Sequence, residues 1–316
     1  MTRVERLVFF GTPAFAVPAL EALVAVGRAP ALVVTQPARP AGRGRRLVEP
    51  PVAVRARELG LTVAQPARVR DPEFLERLQA LAPDLAVVVA FGQIFPRALL
   101  GLPRLGCVNV HASLLPRWRG AAPIAAAIAA GDSETGVSIQ HMEEGLDTGP
   151  VLAERRTPIG PREDAGALAA RLAAIGAELL LEVVDALEHG RAVATPQDDA
   201  RATHAPKLAG GLDLDLAKSA EELAREIRAF TPEPGTFLAT RGERLKILAA
   251  HPASIARREP PAAIGTVLSS GGDGVTMATG DGTALELLRV QRAGGKPISG
   301  RDLANGLRLA PGDRLS

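Results

Sequence analysis

The 316-residue chain has one cysteine, Cys107, one tryptophan, Trp118, and no tyrosine, and aromatic residues make up only 3% of it. A single thiol forms no internal disulfide and builds no thiolate metal site, so neither device is expected to hold the fold. That usage fits a cytoplasmic chain. No cluster of histidines and carboxylates has metal-ligand spacing, and no tightly bound metal is expected. Long apolar runs are also missing. The opening MTRVERLVFFGTP carries Glu5 and reaches Gly11 and Pro13 after a short apolar run, too short for a signal peptide or a membrane span. The formal net charge is only +2, so a polyanionic partner would have to be met by local basic clusters rather than by a global field.

What is present suffices for ordinary globular cores, with 47% hydrophobic and 23% charged residues. At roughly 150 residues per domain, the length predicts two domains. Leu7-Val8-Phe9-Phe10 reads as a strand, Gly11-Thr12-Pro13 as a turn, and Ala14 to Val26 as a helix closed by Gly27. The alternation continues with strands at 31–35, 61–64, 85–90 and 108–111 and helices at about 52–59 and 71–81. The run from Leu85 to Ala90 is so apolar that both faces must be covered, as in a parallel sheet. The first half is therefore read as α/β, a Rossmann-like, open, mostly parallel sheet with ligands beyond the carboxyl ends of its strands. Gly11 lacks the two further glycines of a dinucleotide loop, which excludes a nicotinamide cofactor on this pattern. No P-loop pattern occurs.

The segment CVNVHASLLPRWRG, residues 107–120, is where chemistry concentrates. A period of two puts Asn109 and His111 on one strand face, an amide donor beside an imidazole at a strand end. Such a pair suits an oxygen that becomes negative when a carbonyl is attacked. Asp147, between Gly145 and Gly149, puts a carboxylate on a sharp turn, 36 residues beyond His111, a separation from which contact does not follow. Residues 36–51, QPARPAGRGRRLVEPP, show no helical or strand period and carry Arg39, Arg43, Arg45 and Arg46 with no acid before Glu49. A long loop with guanidinium forks suits phosphate binding, and a solvated linker remains the alternative.

In order, TQPARPAGRGRR, VVVAFGQI, NVHASLLPRWRGAAPI and GVSIQHMEEGLDTG resemble the methionyl-tRNA formyltransferase family, and the resemblance covers nearly the whole chain. It implies a formyltransferase fold and transfer of a formyl group from 10-formyltetrahydrofolate to the amino group of methionyl initiator tRNA. It further implies catalytic roles for Asn109, His111 and Asp147, a folate-binding turn at Ser113, Leu114, Leu115 and Pro116, and a folate pocket near Phe91 and Gly92. By the same resemblance Arg39, Arg43, Arg45 and Arg46 contact tRNA. The family commonly has Asp-Trp where Asp215-Leu216 stands and an aromatic residue where Glu233 stands, departures that lie away from the proposed chemistry.

From Thr236 onward short alternating runs separated by Gly-containing turns predict a small antiparallel barrel of the OB kind. The expected domains are residues 1–206, catalytic with the basic loop at 36–51, and residues 207–316, an OB-like tRNA-binding domain in which Arg244, Lys246, Arg289, Arg292 and Lys296 are candidate phosphate contacts. A monomer is expected. Two alternatives stay open: a 10-formyltetrahydrofolate enzyme acting on an amino sugar nucleotide or on folate itself, and a non-catalytic RNA-binding protein.

Overall fold

A computed structural model describes residues 4–41, 46–240, 242–254 and 262–315. Two compact units divide the chain, the first made of residues 1–123, 134–158 and 169–205, the second of 124–133, 159–168 and 206–316. In chain order the early elements are β1 (Leu7–Gly11), α1 (Val17–Ala25), β2 (Leu32–Val34), β3 (Arg39–Ala41), β4 (Arg46–Val48), α2 (Pro51–Glu58), β5 (Val63–Ala64) and α3 (Pro72–Leu81). Then come β6 (Leu85–Val89), α4 (Arg97–Leu100), β7 (Cys107–His111), β8 (Arg119–Gly120), α5 (Pro123–Ala130), β9 (Glu134–His141), β10 (Val151–Pro158), α6 (Ala165–Glu188) and β11 (His204–Ala205).

The main sheet of the first unit runs β10-β9-β7-β6-β1-β2-β5. Its five strands from β7 to β5 are parallel, while β9 and β10 are antiparallel additions at one edge. The centre is apolar on both faces because every residue of β1 and β6 is buried. Phe10, Phe91 and Phe95 meet edge to face with centroids 4.8–6.0 Å apart in the core on one side. On the other side α6 lies close to β7 and β9 at Gly176, where a Cβ would come within 2.8 Å of Val110 Cγ1. A side chain there would push the helix off the sheet. Asp84, just before β6, accepts hydrogen bonds from the N–H groups of Glu5 and Arg6, just before β1, and so sets the two strands in register. Burial alone would raise its pKa, but the Arg6 and Glu5 N–H groups and the Arg104 guanidinium hold it below the ordinary carboxylate value.

The strand order reverses at β1, which has β2 on one side and β6 on the other, the kind of point where α/β sheets leave a crevice at their carboxyl ends. Those ends are cross-tied. Thr12 Oγ1 and Gln36 Nε2 both donate to the Phe91 carbonyl, at 3.0 and 3.2 Å. Two local expectations differ from the structure. Residues 39–41 and 46–48 pair as an antiparallel ribbon, with Pro40 opposite Leu47, where the sequence shows no strand period. Proline and glycine hide the alternation, and a two-strand ribbon outside the main sheet has no buried face to impose one. The strand β10 is also absent from the periodic reading, because its charged residues Glu154, Arg155 and Arg156 sit on the edge strand of the sheet.

The second unit contains β12 (Leu212–Asp213), α7 (Ala220–Phe230), β13 (Thr236–Thr240), β14 (Glu243–Pro252), β15 (Val267–Ser269), β16 (Val275–Ala278), β17 (Ala284–Gln291), β18 (Pro297–Ser299) and α8 (Gly300–Leu307). Its sheet follows the order β12-β13-β14-β17-β16-β15, with β18 added on β17, and all pairs but β12–β13 are antiparallel. Alternate residues, among them Leu245, Ile247, Leu285 and Leu287, join Leu223 and Ile227 of α7 in one core. The α7 helix starts with a capping box between Ser219 and Glu222. The short alternating runs after Thr236 thus form a sheet-rich C-terminal unit.

Candidate active site

The three residues expected to be catalytic gather where β7 ends. The register pairs Asn109 with Gln140 and His111 with Ser138 across β7 and β9. A run of polar residues thereby faces one way at the edge of an otherwise apolar sheet. After β7 the chain turns through Ser113 to Trp118, which has φ 62°, and reaches Gly120 at φ 120°. The turn is fastened from within: Ser113 Oγ donates to the Arg117 carbonyl at 2.6 Å, and Ser138 Oγ donates to the Ser113 carbonyl while accepting from Leu115 N. It is fastened from outside by β11, which runs parallel to β8, and by Thr203, whose hydroxyl accepts from Trp118 N at 2.9 Å. The approach is tight enough that a Cβ on Gly120 would lie 2.6 Å from the Ala205 carbonyl oxygen. Only glycine fits there.

Asp147 arrives from the turn after β9, in a left-handed conformation with φ 54°. Its Oδ2 accepts from Gly120 N at 2.8 Å and its Oδ1 from Gln140 Nε2 at 3.0 Å. Against this held carboxylate lie Asn109 Nδ2, 3.4 Å from Oδ1, and His111 Nδ1, 3.6 Å from Oδ2. Both distances exceed the roughly 2.7–3.2 Å of a full N–H···O bond, so the Asn109 amide keeps donor capacity for a third group. His111 is 6% exposed, and its Nε2 lies 3.0 Å from the Trp118 carbonyl, which only accepts. That contact makes Nε2 the donor and turns Nδ1 toward Asp147. The structure therefore brings Asn109, His111 and Asp147 together.

The other expected site residues are distributed unevenly. Leu114 and Pro116 are half-buried, whereas Ser113 and Leu115 are buried, with the Ser113 hydroxyl committed to the turn. The Phe91 ring belongs to the core and its carbonyl is occupied by Thr12 and Gln36, while Gly92 follows in a left-handed conformation, φ 86°. Arg39 donates to Gln36 Oε1 at 2.8 Å and Arg46 is exposed on β4, and Arg43 and Arg45 lie outside the described residues. Burial pushes the Cys107 thiol up to about 12, so no thiolate is available at neutral pH. Among the described residues no group of three or more His, Cys, Asp or Glu side chains could hold a metal ion, and no helix is long and apolar enough to cross a membrane.

Sequence reasoning missed the polar residues that hold Asp147. Gln140 is 1% exposed in β9, and Gln197 and Arg119 bond to one another behind the turn. One signal was there to use: Ser138 and Gln140 show the same two-residue polar period as Asn109 and His111.

The structure thus gathers an amide, an imidazole and a held carboxylate at the carboxyl edge of a mixed sheet on a Rossmann-like scaffold. Residues 5–184 match the family described as Formyl transferase, and residues 212–308 match Formyl transferase, C-terminal domain. The methionyl-tRNA formyltransferase of Halorhodospira halophila is 51% identical over 309 residues, covering 98% of each chain. That of Stutzerimonas stutzeri is 48% identical over 99% of this chain and 98% of its own. Among solved structures, the sugar 3N-formyltransferase WlaRD, crystallised in the presence of dTDP and 5-N-formyl-THF, superposes with a TM-score of 0.67 at 15% identity, over 93% of this chain and all of its own. HypX from Aquifex aeolicus in complex with tetrahydrofolic acid gives 0.63 at 16% identity, over 95% of this chain and 46% of its own. Likeness at that identity speaks for the fold alone. The chain belongs to the methionyl-tRNA formyltransferase family and is a formyl-transfer enzyme.

Proposed function

We propose that this enzyme transfers the formyl group of 10-formyltetrahydrofolate to the free amino group of methionyl initiator tRNA, with Asn109, His111 and Asp147 as the groups that meet the reacting atoms. The observation that carries the reading is the clustering of an amide donor and an imidazole around one fixed carboxylate at a strand end. As the amine attacks the formyl carbon, Asn109 Nδ2 and the protonated Nδ1 of His111 donate to the carbonyl oxygen, which becomes negative. Stabilising that charge in a water-poor site is worth on the order of two to three powers of ten in rate per donor. Asp147 balances the imidazolium and, through water, takes the proton that the attacking nitrogen sheds. The carbon–N10 bond then breaks with a proton delivered to N10, and tetrahydrofolate leaves.

No covalent enzyme intermediate is needed. Ser113 donates to a backbone carbonyl and has no base, and Cys107 is held as a thiol. Placement and electrostatics are the protein's share of the work, since the folate carries the activated carbon. Phe91 and the left-handed Gly92, together with the turn from Ser113 to Pro116, supply the folate side, with Leu114 and Pro116 offering the partly open surfaces. Residues 1–206 form the catalytic domain and residues 207–316 the tRNA-binding one, with Arg39, Arg43, Arg45 and Arg46 on the acceptor side. The enzyme works in the cytoplasm as a monomer and without a tightly bound metal.

The test is formyl transfer from 10-formyltetrahydrofolate by the purified protein to methionyl initiator tRNA, with methionyl elongator tRNA and an amino sugar nucleotide alongside. Product on the initiator tRNA alone is expected. Product on the sugar and on neither tRNA overturns the acceptor assignment. Removing residues 43–46 should weaken formylation and flatten its salt dependence, because each lost phosphate contact lowers the slope.

A further inference from the structure

Asp147 is held by its turn and also through a one-way chain of donors that begins at a buried cation. Arg119 is 5% exposed, and its guanidinium donates to Gln197 Oε1 through Nε at 3.1 Å and Nη2 at 2.8 Å, with Nη2 also reaching the exposed Asp199 at 2.7 Å. A guanidinium only donates, so Gln197 must turn its oxygen to Arg119 and its NH2 the other way. On that side lie three acceptors: the Asp147 carbonyl at 2.9 Å, the Gly149 carbonyl at 2.6 Å and Gln140 Oε1 at 3.2 Å. With its oxygen taken, Gln140 has only its NH2 left for Asp147 Oδ1, 3.0 Å away. Each amide has its orientation set by the one before it, and the direction runs Arg119 to Gln197 to Gln140 to Asp147.

From this geometry we infer that Gln197 is a positioning residue for the reaction: it fixes both the backbone and, through Gln140, the carboxylate of Asp147. The inference rests on Asp147 acting in the transfer. Two features of the fold give it force. Asp147 sits at φ 54°, where a non-glycine residue needs support from its surroundings, and Gln197 binds its carbonyl and that of Gly149 directly. Asn109 and His111 approach the carboxylate only at 3.4 and 3.6 Å, so they follow its position without setting it. Gln197 also belongs to the segment whose next residues, Thr203 to Ala205, fasten the Trp118–Gly120 stretch. One strap thus aligns both sides of the site, and Gln197 is its contact with the carboxylate side.

A double-mutant cycle tests this, using the full-length enzyme, methionyl initiator tRNA and 10-formyltetrahydrofolate, with melting temperature and circular dichroism recorded for every variant. Gln197→Leu keeps the bulk and removes the hydrogen bonds. It should lower kcat about 30-fold with both KM values within about threefold, the signature of a mispositioned reacting group. In an Asp147→Asn background the same change should cost less than about threefold, because residues acting through one another are not additive. Full 30-fold loss in both backgrounds overturns the positioning role and leaves the reading of Asp147 standing. Near-wild-type kcat in Asp147→Asn alone overturns both. Should Gln197→Leu fail to fold, Gln197→Glu has the same size and keeps the bond from Arg119, but at about pH 8 its ionised carboxylate faces two carbonyls with no donor. A folded Gln197→Glu enzyme with wild-type kcat overturns the inference as well.

Discussion

The turn after β7 in the first unit and the sheet surface of the second unit use polar side chains in opposite ways. At the turn, His111, Ser113, Arg119, Ser138 and Gln140 are all buried, and each meets a specific partner. On the second unit, Arg244 pairs with Asp213 at 2.8 Å while stacking on Phe237, Lys246 pairs with Glu233 at 3.2 Å, and Arg292 forks onto Glu243 at 2.8 Å. These pairs are open to solvent on at least one side, where an ion pair is worth about 0–1 kcal/mol. Buried polar groups that lose a partner cost about 1–3 kcal/mol each. The first region therefore depends on single residues and the second on sums. The contrast also sorts the candidate phosphate contacts. Arg244, Lys246 and Arg292 already neutralise carboxylates and would have to trade them for phosphate, whereas Arg289 and Lys296 are exposed.

The contrast can be broken or sharpened by substitution. His111→Ala should reduce kcat at least about 100-fold while folate still binds, measured by turnover and by ligand titration. Near-wild-type turnover would remove the basis for treating the turn as the chemical centre. Gly120→Ala should come next. Its φ of 120° and the 2.6 Å approach to the Ala205 carbonyl should cost at least about 2 kcal/mol in denaturant unfolding, with about tenfold lower kcat as Gly120 N leaves Asp147. Ser219→Ala removes the α7 cap in the second unit and should destabilise that unit by about 1 kcal/mol with kcat unchanged. Smallest of all, Arg292→Ala should shift stability by less than about 1 kcal/mol, seen in the same unfolding assay. If it lowered kcat as far as His111→Ala does, the division between single-residue and summed effects would be refuted.

How much could be read in advance follows the same division. The parallel core was legible because β1 and β6 are continuous apolar runs, and both turn out buried along their whole length. The strand-end pair Asn109 and His111 was legible from a period of two. The ribbon of β3 and β4 and the edge strand β10 were not, since neither has a buried face to write alternation into the sequence. Gln140 was hidden for a different reason: the polar period of Ser138 and Gln140 marks a face of β9 but not what that face meets until the neighbouring strand is known.

The sequence alone determined the class of fold, the amide and imidazole on one strand face, and the family, because these depend on local period and short motifs. Only the tertiary structure decided that Asp147 meets that pair and that Gln197 and Arg119 stand behind it. Those contacts link residues 27 to 80 positions apart. They depend on β9 returning antiparallel beside β7 and on β11 running along β8, and strand order of that kind leaves no trace in local periodicity.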